Sequence, residues 1–310
     1  MSFEVYNIMT ISLCIATYRR CERLAALLSD LAAQSVLPTE VIIVDNDAQG
    51  SARSTIEHIV AAGLPFEVHY GIQPVKNIAL TRNRTVELAT CDWIAFIDDD
   101  ERAPPAWLEL LLKAAIDHHA DGVLGPVIPV VPDTAPSWIK RGSFYDFPRM
   151  NTGAIVPLNR LRFGNVLLRG SVLRAEPGPF DPNYGLMTGE DGDMLARLVK
   201  KGAKVIWNDE ALVHEPVEPS RLSLRWLLQR ALSGGQEFAR KSLRGTYGTI
   251  TKTGRMLFAV KALVQLVVSA AMTIIACPFG LHQAAQWMIK ASANIGKLTV
   301  FSGWHYHEYT

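Results

Sequence analysis

Short apolar runs alternate with longer amphipathic ones along the first 127 residues, and this alternation is the strongest constraint on what the chain can fold into. Residues 11–16, 41–44, 66–70, 93–97 and 123–127 have strand length and β-branched or aromatic content. Between them, residues 22–33, 53–62, 78–89 and 106–119 carry apolar side chains at three- and four-residue intervals, the spacing of one helix face. Strand and helix in turn predict an α/β fold whose mostly parallel sheet has helices on both faces. Residues 126–159 are proline-rich and aromatic without a period, as an excursion over a site would be. Regular signals return as a strand at 162–168, a helix at 191–201 and a strand at 204–207.

Of the 310 residues, 49% are hydrophobic and 20% charged, which excludes a disordered chain, a nucleic-acid coat and a multi-span membrane protein. The formal net charge of +1 conceals an uneven distribution. Residues 1–218 carry 20 basic and 28 acidic side chains, whereas residues 219–261 carry 9 and 1. The opening MSFEVYNIMT has neither the basic nor the apolar region of a secretory signal, which predicts a cytosolic body. Cys14, Cys21, Cys91 and Cys277 form no C-x-x-C pair and are expected to be reduced packing residues.

In an open α/β sheet, ligands bind beyond the carboxyl ends of strands where the winding reverses. Those ends are polar here: Thr17-Tyr18-Arg19-Arg20 after the first strand, Asp45-Asn46-Asp47 after the second and Asp98-Asp99-Asp100-Glu101 after the fourth. In the strand order 3-2-1-4, Thr17 and the three aspartates face one crevice, and the first helix offers its N–H groups to an anion there. Four successive acids repel one another, and they also repel any anionic ligand. A hard divalent ion, Mg²⁺ or Mn²⁺, resolves both conflicts by taking one or two carboxylates and completing its shell with diphosphate oxygens and water.

ISLCIATYRR, VIIVDNDAQG, NIALTRNRTVELATCDWIAFIDDDE and TGEDGDMLARLVKKG, in this order within residues 9–240, resemble the family 2 glycosyltransferases, inverting enzymes of the GT-A fold. The stretches GPV…SW…G, FGNVLLRGSVL and VHEPV…SLRWLLQRALSGGQ look closest to the succinoglycan-type exopolysaccharide glucosyltransferases. The resemblance implies a nucleotide pocket of Thr17, Arg19, Asp45 and Asp47, with Asp45 on the uracil or ribose, and Arg82 on the nucleoside diphosphate. Without the resemblance, Arg82 also reads as an ordinary i,i+4 surface pair on a helix. Asp98 resembles the first acid of the D-x-D motif, directed to ribose and metal, Asp100 resembles its metal-binding acid, and Asp99 shares in donor binding.

Gly189-Glu190-Asp191 resembles the family's E-D motif, which implies Asp191 as general base and Glu190, with Trp226, as acceptor-binding residues. A sugar hydroxyl is a weak nucleophile, and a positioned carboxylate that accepts its proton contributes roughly 10²–10⁴-fold. Acids at this position also favour the positive end of the helix at 191–201. His214 is expected as a third metal contact beside Asp98 and Asp100, and Arg230 as a clamp on the leaving diphosphate. The order RWLLQR departs from the Q-x-x-R-W element of processive synthases, which argues against a processive polymerase.

The implied reaction is a single displacement that moves a sugar, expected to be glucose, from a UDP-sugar to a hydroxyl of a polyprenyl-diphosphate-linked or other glycan acceptor and forms a β-glycoside. A catalytically silent scaffold that binds UDP-sugar within a polysaccharide assembly complex is the alternative. Such a scaffold would lose nothing measurable on Asp191→Asn.

Residues 262–279 are apolar apart from Gln265, Ser269 and Thr273, just long enough for a membrane helix. Lys261, Gln265, Ser269 and Thr273 form one stripe that drifts about 40° per step. A span bathed entirely in lipid has no use for such a stripe, so headgroups, the catalytic domain or another subunit are expected to face it. After Pro278 and Gly280, Leu281, Ala284, Met288, Ala291, Ile295 and Leu298 share a face, followed by Trp304, Tyr306 and Tyr309. The expected organisation is a catalytic domain at 1–240, a basic linker at 241–261 and membrane-associated helices at 262–310. These helices lie in or cross the bilayer, with a docked or homo-oligomeric hairpin as the other arrangement. The basic stretch before them, set against anionic lipid, places the enzyme on the cytoplasmic face of a bacterial inner membrane.

Overall fold

The computed structural model describes residues 9–184 and 189–304. The expectations for residues 1–8, Tyr306 and Tyr309 fall outside them. The elements follow the order β1 (Ile11–Thr17), α1 (Cys21–Ala32), β2 (Glu40–Asp45), α2 (Arg53–Ala61), β3 (Glu67–Ile72), α3 (Ile78–Leu88), β4 (Trp93–Phe96) and α4 (Trp107–Asp117). Then come β5 (Gly122–Leu124), β6 (Val127–Val130), α5 (Ser137–Gly142), β7 (Val166–Arg169), α6 (Gly170–Arg174), α7 (Glu190–Lys200), β8 (Val205–Trp207) and β9 (Val213–Pro216). The chain finishes with α8 (Leu224–Leu243), α9 (Lys252–Ala276) and α10 (Leu281–Thr299).

Seven strands form one sheet in the order β3-β2-β1-β4-β7-β5-β8, so the expected 3-2-1-4 half is present. β1 runs parallel to β2 and β4, β2 parallel to β3, and β5 parallel to β8. β7 is antiparallel to both its neighbours, β4 and β5. The expected strand at 123–127 breaks at Gly125-Pro126, where proline has no N–H for a ladder, and its second half pairs with β9 in a separate ribbon. The expected strand at 162–168 starts only at Val166.

Side-chain alternation along the strands divides the core between the two sheet faces. Ile11, Leu13 and Ile15 of β1 pack with Leu24, Leu27, Leu28 and Leu31 of α1 and Leu108, Leu111 and Leu112 of α4. Cys14, Ile42, Val44 and Ile94 point the other way, to Ala79 and Val86 of α3 and Met194, Leu195 and Leu198 of α7. Asn165 joins three segments at the edge of this core. Its Nδ2 donates to the carbonyls of Pro126 (3.0 Å) and Ala211 (2.6 Å), and its Oδ1 accepts from Trp107 Nε1 (2.9 Å).

The chain divides into two compact units, the first holding the described residues up to Ile128, 147–184 and Glu190–Glu215. The second holds Pro129–Asp146, Gly189 and 216–304. Residues 241–261 contain the end of α8, a turn and the start of α9, whose N-cap Thr251 Oγ1 accepts the Gly254 N–H at 3.1 Å. In the second unit, α8 and α10 meet at the backbone. A Cβ on Gly235 would lie 2.0 Å from the Ala293 carbonyl oxygen, and one on Gly296 would lie 2.1 Å from that of Leu232. Ser292 Oγ donates to the Leu228 carbonyl at 2.7 Å. Only Ala262, Ser269 and Ala276 of α9 are buried, while Met256, Ile274 and Phe279 are 67%, 74% and 70% exposed. Small side chains at the seams and large apolar ones outside invert the arrangement of a water-soluble bundle. The stripe of the sequence finds its partner in α10, where Lys297 Nζ donates to Gln265 Oε1 at 3.3 Å.

Two outcomes check this fold. Asn165→Leu strands two carbonyls and an indole N–H, and destabilises the protein by roughly 1–3 kcal/mol per group left unsatisfied, read as a lower urea midpoint. Burial pushes the Cys14 thiol up to about 12. Cys14 and Cys91 are both buried and stay unlabelled by a thiol reagent at pH 8, while exposed Cys277 reacts. Denaturant then opens the two protected thiols together.

Candidate functional site

The site forms where β1, β2 and β4 end, because parallel strands bring Thr17, Asp45 and the acidic run to one edge of the sheet. Thr17 Oγ1 donates to Asp99 Oδ2 at 2.8 Å across the β1–β4 boundary. Arg20 Nη1 bridges Asp99 Oδ1 (2.8 Å) and Asp100 Oδ2 (2.9 Å), and Arg23 Nη1 stands 3.6 Å from the same Asp100 oxygen. Arg20 and Arg23 lie one turn apart at the start of α1 and are absent from the expected site. A pair of arginines at the helix that opens on an acidic strand end was the available signal.

Crowding marks the electrostatics of the acids. Desolvation in the crevice, then the like charges of Asp100 and Asp191, raise the Asp98 carboxyl above its ordinary range against the pull of Arg82. Desolvation also lifts Asp99 to about 6, opposed by Arg20 and Thr17. Glu101 stands well above the usual range through burial and the neighbouring Asp98, Asp100 and Glu215. Gly164 makes room for this cluster. Its φ is +103°, and a Cβ there would lie 2.7 Å from Glu101 Oε1 and 3.4 Å from Asp98 Oδ2.

Arg82 is the hub. Its Nη1 donates to Glu190 Oε1 at 2.5 Å, its Nη2 donates to Asp98 Oδ1 at 3.2 Å, and Nη1 lies 3.9 Å from Asp191 Oδ2. Its guanidinium covers the Phe163 ring at 4.5 Å, and Phe163 packs on Phe96 and Phe180. The surface-pair reading of Arg82 is therefore excluded: it is buried, and its partners come from other elements. Glu190, expected among acceptor hydroxyls, is 3% exposed and held by Arg82. Asp191 shares the first turn of α7 but keeps 29% of its side chain accessible. Asp193 pairs along the same helix with Arg197 Nε at 3.1 Å.

Asp45, expected on the uracil or ribose, is fully buried. Its oxygens accept the N–H groups of Asp47 (2.9 Å) and Ala52 (2.8 Å) and the hydroxyls of Tyr70 (3.1 Å) and Ser51 (3.3 Å). These bonds make it the organiser of the loop into α2. Asp47 accepts Arg19 Nε at 2.8 Å, and Arg19 adopts φ +55° beside the Tyr18 ring. His214 is tied by its backbone to Arg102, directly after the acidic run. Trp226 and Arg230 belong to the second unit, where Trp226 lies 6.0 Å from the Tyr145 ring and Arg230 is exposed on α8.

The donor set is all hard oxygen in a field of excess negative charge, which fits Mg²⁺ or Mn²⁺. Among the described residues, no three His, Cys, Asp or Glu side chains close into a cage. An ion here would take one or two carboxylates and draw its remaining ligands from a diphosphate and water.

Removing the hub takes from the buried Glu190 carboxylate its guanidinium partner. Arg82→Met destabilises the protein by roughly 3–5 kcal/mol. Adding Glu190→Gln to that variant restores part of the loss, a coupling read from urea unfolding of the two single variants and the double variant.

The model described as glycosyl transferase family 2 matches residues 12–172, and one described as glycosyl transferase family group 2 matches residues 93–306. The succinoglycan biosynthesis protein ExoM of Rhizobium meliloti (strain 1021) is 36% identical over 240 residues, covering 76% of this chain and 75% of ExoM. A glucosyl-dolichyl phosphate glucuronosyltransferase of Haloferax volcanii is 26% identical over 241 residues, covering 73% and 75%. Two solved structures share the GT-A fold. The mannosyltransferase PcManGT from Pyrobaculum calidifontis, in complex with GDP-Man and Mn²⁺, has a TM-score of 0.67 at 15% identity, covering 96% of this chain and 87% of that one. S. aureus TarS 1-349 in complex with UDP has a TM-score of 0.54 at 16% identity, covering 96% and 93%. The family match across more than half the chain and the relative at 36% identity lead to one conclusion: the chain belongs to glycosyltransferase family 2.

Proposed function

We propose that the protein is an inverting, divalent-metal-dependent glycosyltransferase of exopolysaccharide biosynthesis. It moves glucose from UDP-glucose to a hydroxyl of a lipid-linked oligosaccharide and forms a β-glycosidic bond. One observation carries the reading: a single buried guanidinium, Arg82, binds both the first acid of the D-x-D run and the glutamate next to Asp191. The donor-side acids and the base-side acids are thereby held in one frame. The relationship to ExoM supports the succinoglycan-type pathway class.

In this mechanism Asp191 accepts the proton of the acceptor hydroxyl as it attacks the anomeric carbon, and its accessible carboxylate suits that task. Arg82 keeps Glu190 and Asp98 from drifting, so that the base approaches from one direction only. Thr17 and Arg20 hold Asp99 and Asp100 at the strand end. Asp98 and Asp100 would hold the divalent ion, with diphosphate oxygens and water completing its shell, and the ion would stabilise the negative charge of the departing diphosphate. Attack opposite the leaving group inverts an α-linked donor to a β product.

Membrane attachment through α9 and α10 completes the proposal. The helical stretch Lys252–Phe279 is long and apolar enough to cross a bilayer, and only 17% of its most apolar window is buried. Its polar stripe toward α10 supports a hairpin lying in the cytoplasmic leaflet, where the basic residues of 219–261 meet anionic headgroups.

Turnover of a UDP-sugar panel with a lipid-linked acceptor extract tests the chemistry. EDTA abolishes it and Mg²⁺ or Mn²⁺ restores it. Asp191→Asn lowers kcat by roughly 10²–10⁴-fold while UDP binding is unchanged. Full turnover in that variant removes Asp191 as the base, and UDP binding without turnover of any donor favours the silent scaffold. Flotation with anionic liposomes, measured without detergent, tests the attachment separately.

A further inference from the structure

A groove of about 400 Å³ runs between α9 and α10, lined by Gln265, Ser269, Trp287, Lys290, Asn294 and Lys297. Lys290 and Lys297 are seven residues apart, two turns of helix, and so share a face. Lys297 Nζ donates to Asn294 Oδ1 at 2.8 Å and to Gln265 Oε1 at 3.3 Å. An ammonium has three donors; among the described residues these two oxygens take two of them, and Nζ also stands 5.6 Å from the Phe238 ring centroid. Lys290 Nζ sits 4.0 Å from the Trp287 ring centroid. The sequence from 252 to 304 contains five Lys and Arg and not one Asp or Glu. The charge that complements these lysines must come from outside these two helices.

The surroundings say what kind of anion that is. Val264 and Val268 line the same groove and are 56% and 50% exposed, so an apolar surface begins where the ammonium groups end. Desolvation, then the neighbouring Lys261, holds the Lys297 ammonium below its ordinary lysine pKa, a cost that a bound anion would reverse. A small hydrophilic anion has no use for the valines, whereas an amphiphile uses both parts.

We infer that the α9–α10 groove binds the phosphate headgroup of an anionic phospholipid, with Lys290 and Lys297 as its charge partners, Gln265 and Asn294 beside it, and an acyl chain against Val264 and Val268. The site rests on the membrane placement proposed above. Its ligand is a bilayer phospholipid that carries no sugar, and so is chemically distinct from the proposed acceptor. The two lysines enrich an anionic headgroup over a neutral one by roughly 30-fold.

The test uses the full chain bound to phosphatidylcholine vesicles that contain either dibrominated phosphatidylglycerol or dibrominated phosphatidylcholine at one mole fraction. Quenching of Trp287, taken as the difference between the wild type and Trp287→Phe, is deeper with the anionic quencher. Lys290→Gln/Lys297→Gln abolishes that preference, and Lys252→Gln/Arg255→Gln, which removes the same charge outside the groove, keeps it. Equal quenching by both lipids in the wild type, a comparison that needs no lysine substitution, overturns the site. So does equal loss of preference in the two charge variants, which would mean bulk attraction alone. Relief of the quenching by millimolar inorganic phosphate would reassign the groove to a free anion. A protein that floats with neither vesicle removes the membrane placement and the site together, whereas one that floats without headgroup preference at Trp287 removes the site alone.

Discussion

The buried guanidinium of Arg82 sets the terms for the rest of the first unit. It arrives on α3, whose own acid Glu87 pairs with Arg84, and meets Glu190 of α7 and Asp98 of the β4 end while its flat face rests on Phe163. A cation can be buried there only because carboxylates from two other elements satisfy it. The carboxylates can crowd together only because Arg82, Arg20 and Arg23 partly neutralise them. Each half is costly alone, which makes the site an over-determined unit rather than a collection of separate ligands.

That interdependence explains what could be read from the residues and what could not. Strand-end chemistry was legible because parallel topology makes it local: once β1 and β4 are neighbours, Thr17 must lie near Asp99, and it does. The family motifs likewise draw attention to the acids and to Asp191, which the structure brings near Arg82. Arg82 and Glu190 are 108 positions apart, and no periodicity links a helix residue to a partner at that separation. Asp45 shows what local bonds add to such a reading. An acid after a strand looks like a ligand, and here four local donors also engage it, which the sequence does not signal.

The segment Phe163-Gly164-Asn165 shows how a dull stretch of sequence can carry a site. It was expected as the start of a strand, but its three residues do three different things: a ring under Arg82, a gap beside Glu101 and Asp98, and a bridge among Trp107, Pro126 and Ala211. None has a charge, so a search for titratable groups passes over all three. The polar stripe of α9 was visible in the sequence at once. Its partner was not, because the stripe begins with a cation, Lys261, and α10 meets it with another, Lys297, rather than with an opposite charge.

The α8–α10 seam has a thermodynamic consequence. At Gly235, Ser292 and Gly296 two backbones touch, so these points of the seam hide little hydrocarbon, and its apolar part is the small cluster that includes Leu227 and Ile289. Heat-capacity change on unfolding scales with the apolar surface exposed, and in this chain most such surface lies in the two leucine- and isoleucine-rich layers of the sheet. A calorimeter would therefore record the melting of the catalytic sheet. The helical seam, with its smaller apolar cluster, would open with a smaller heat-capacity step, so helicity reports on it more directly than heat.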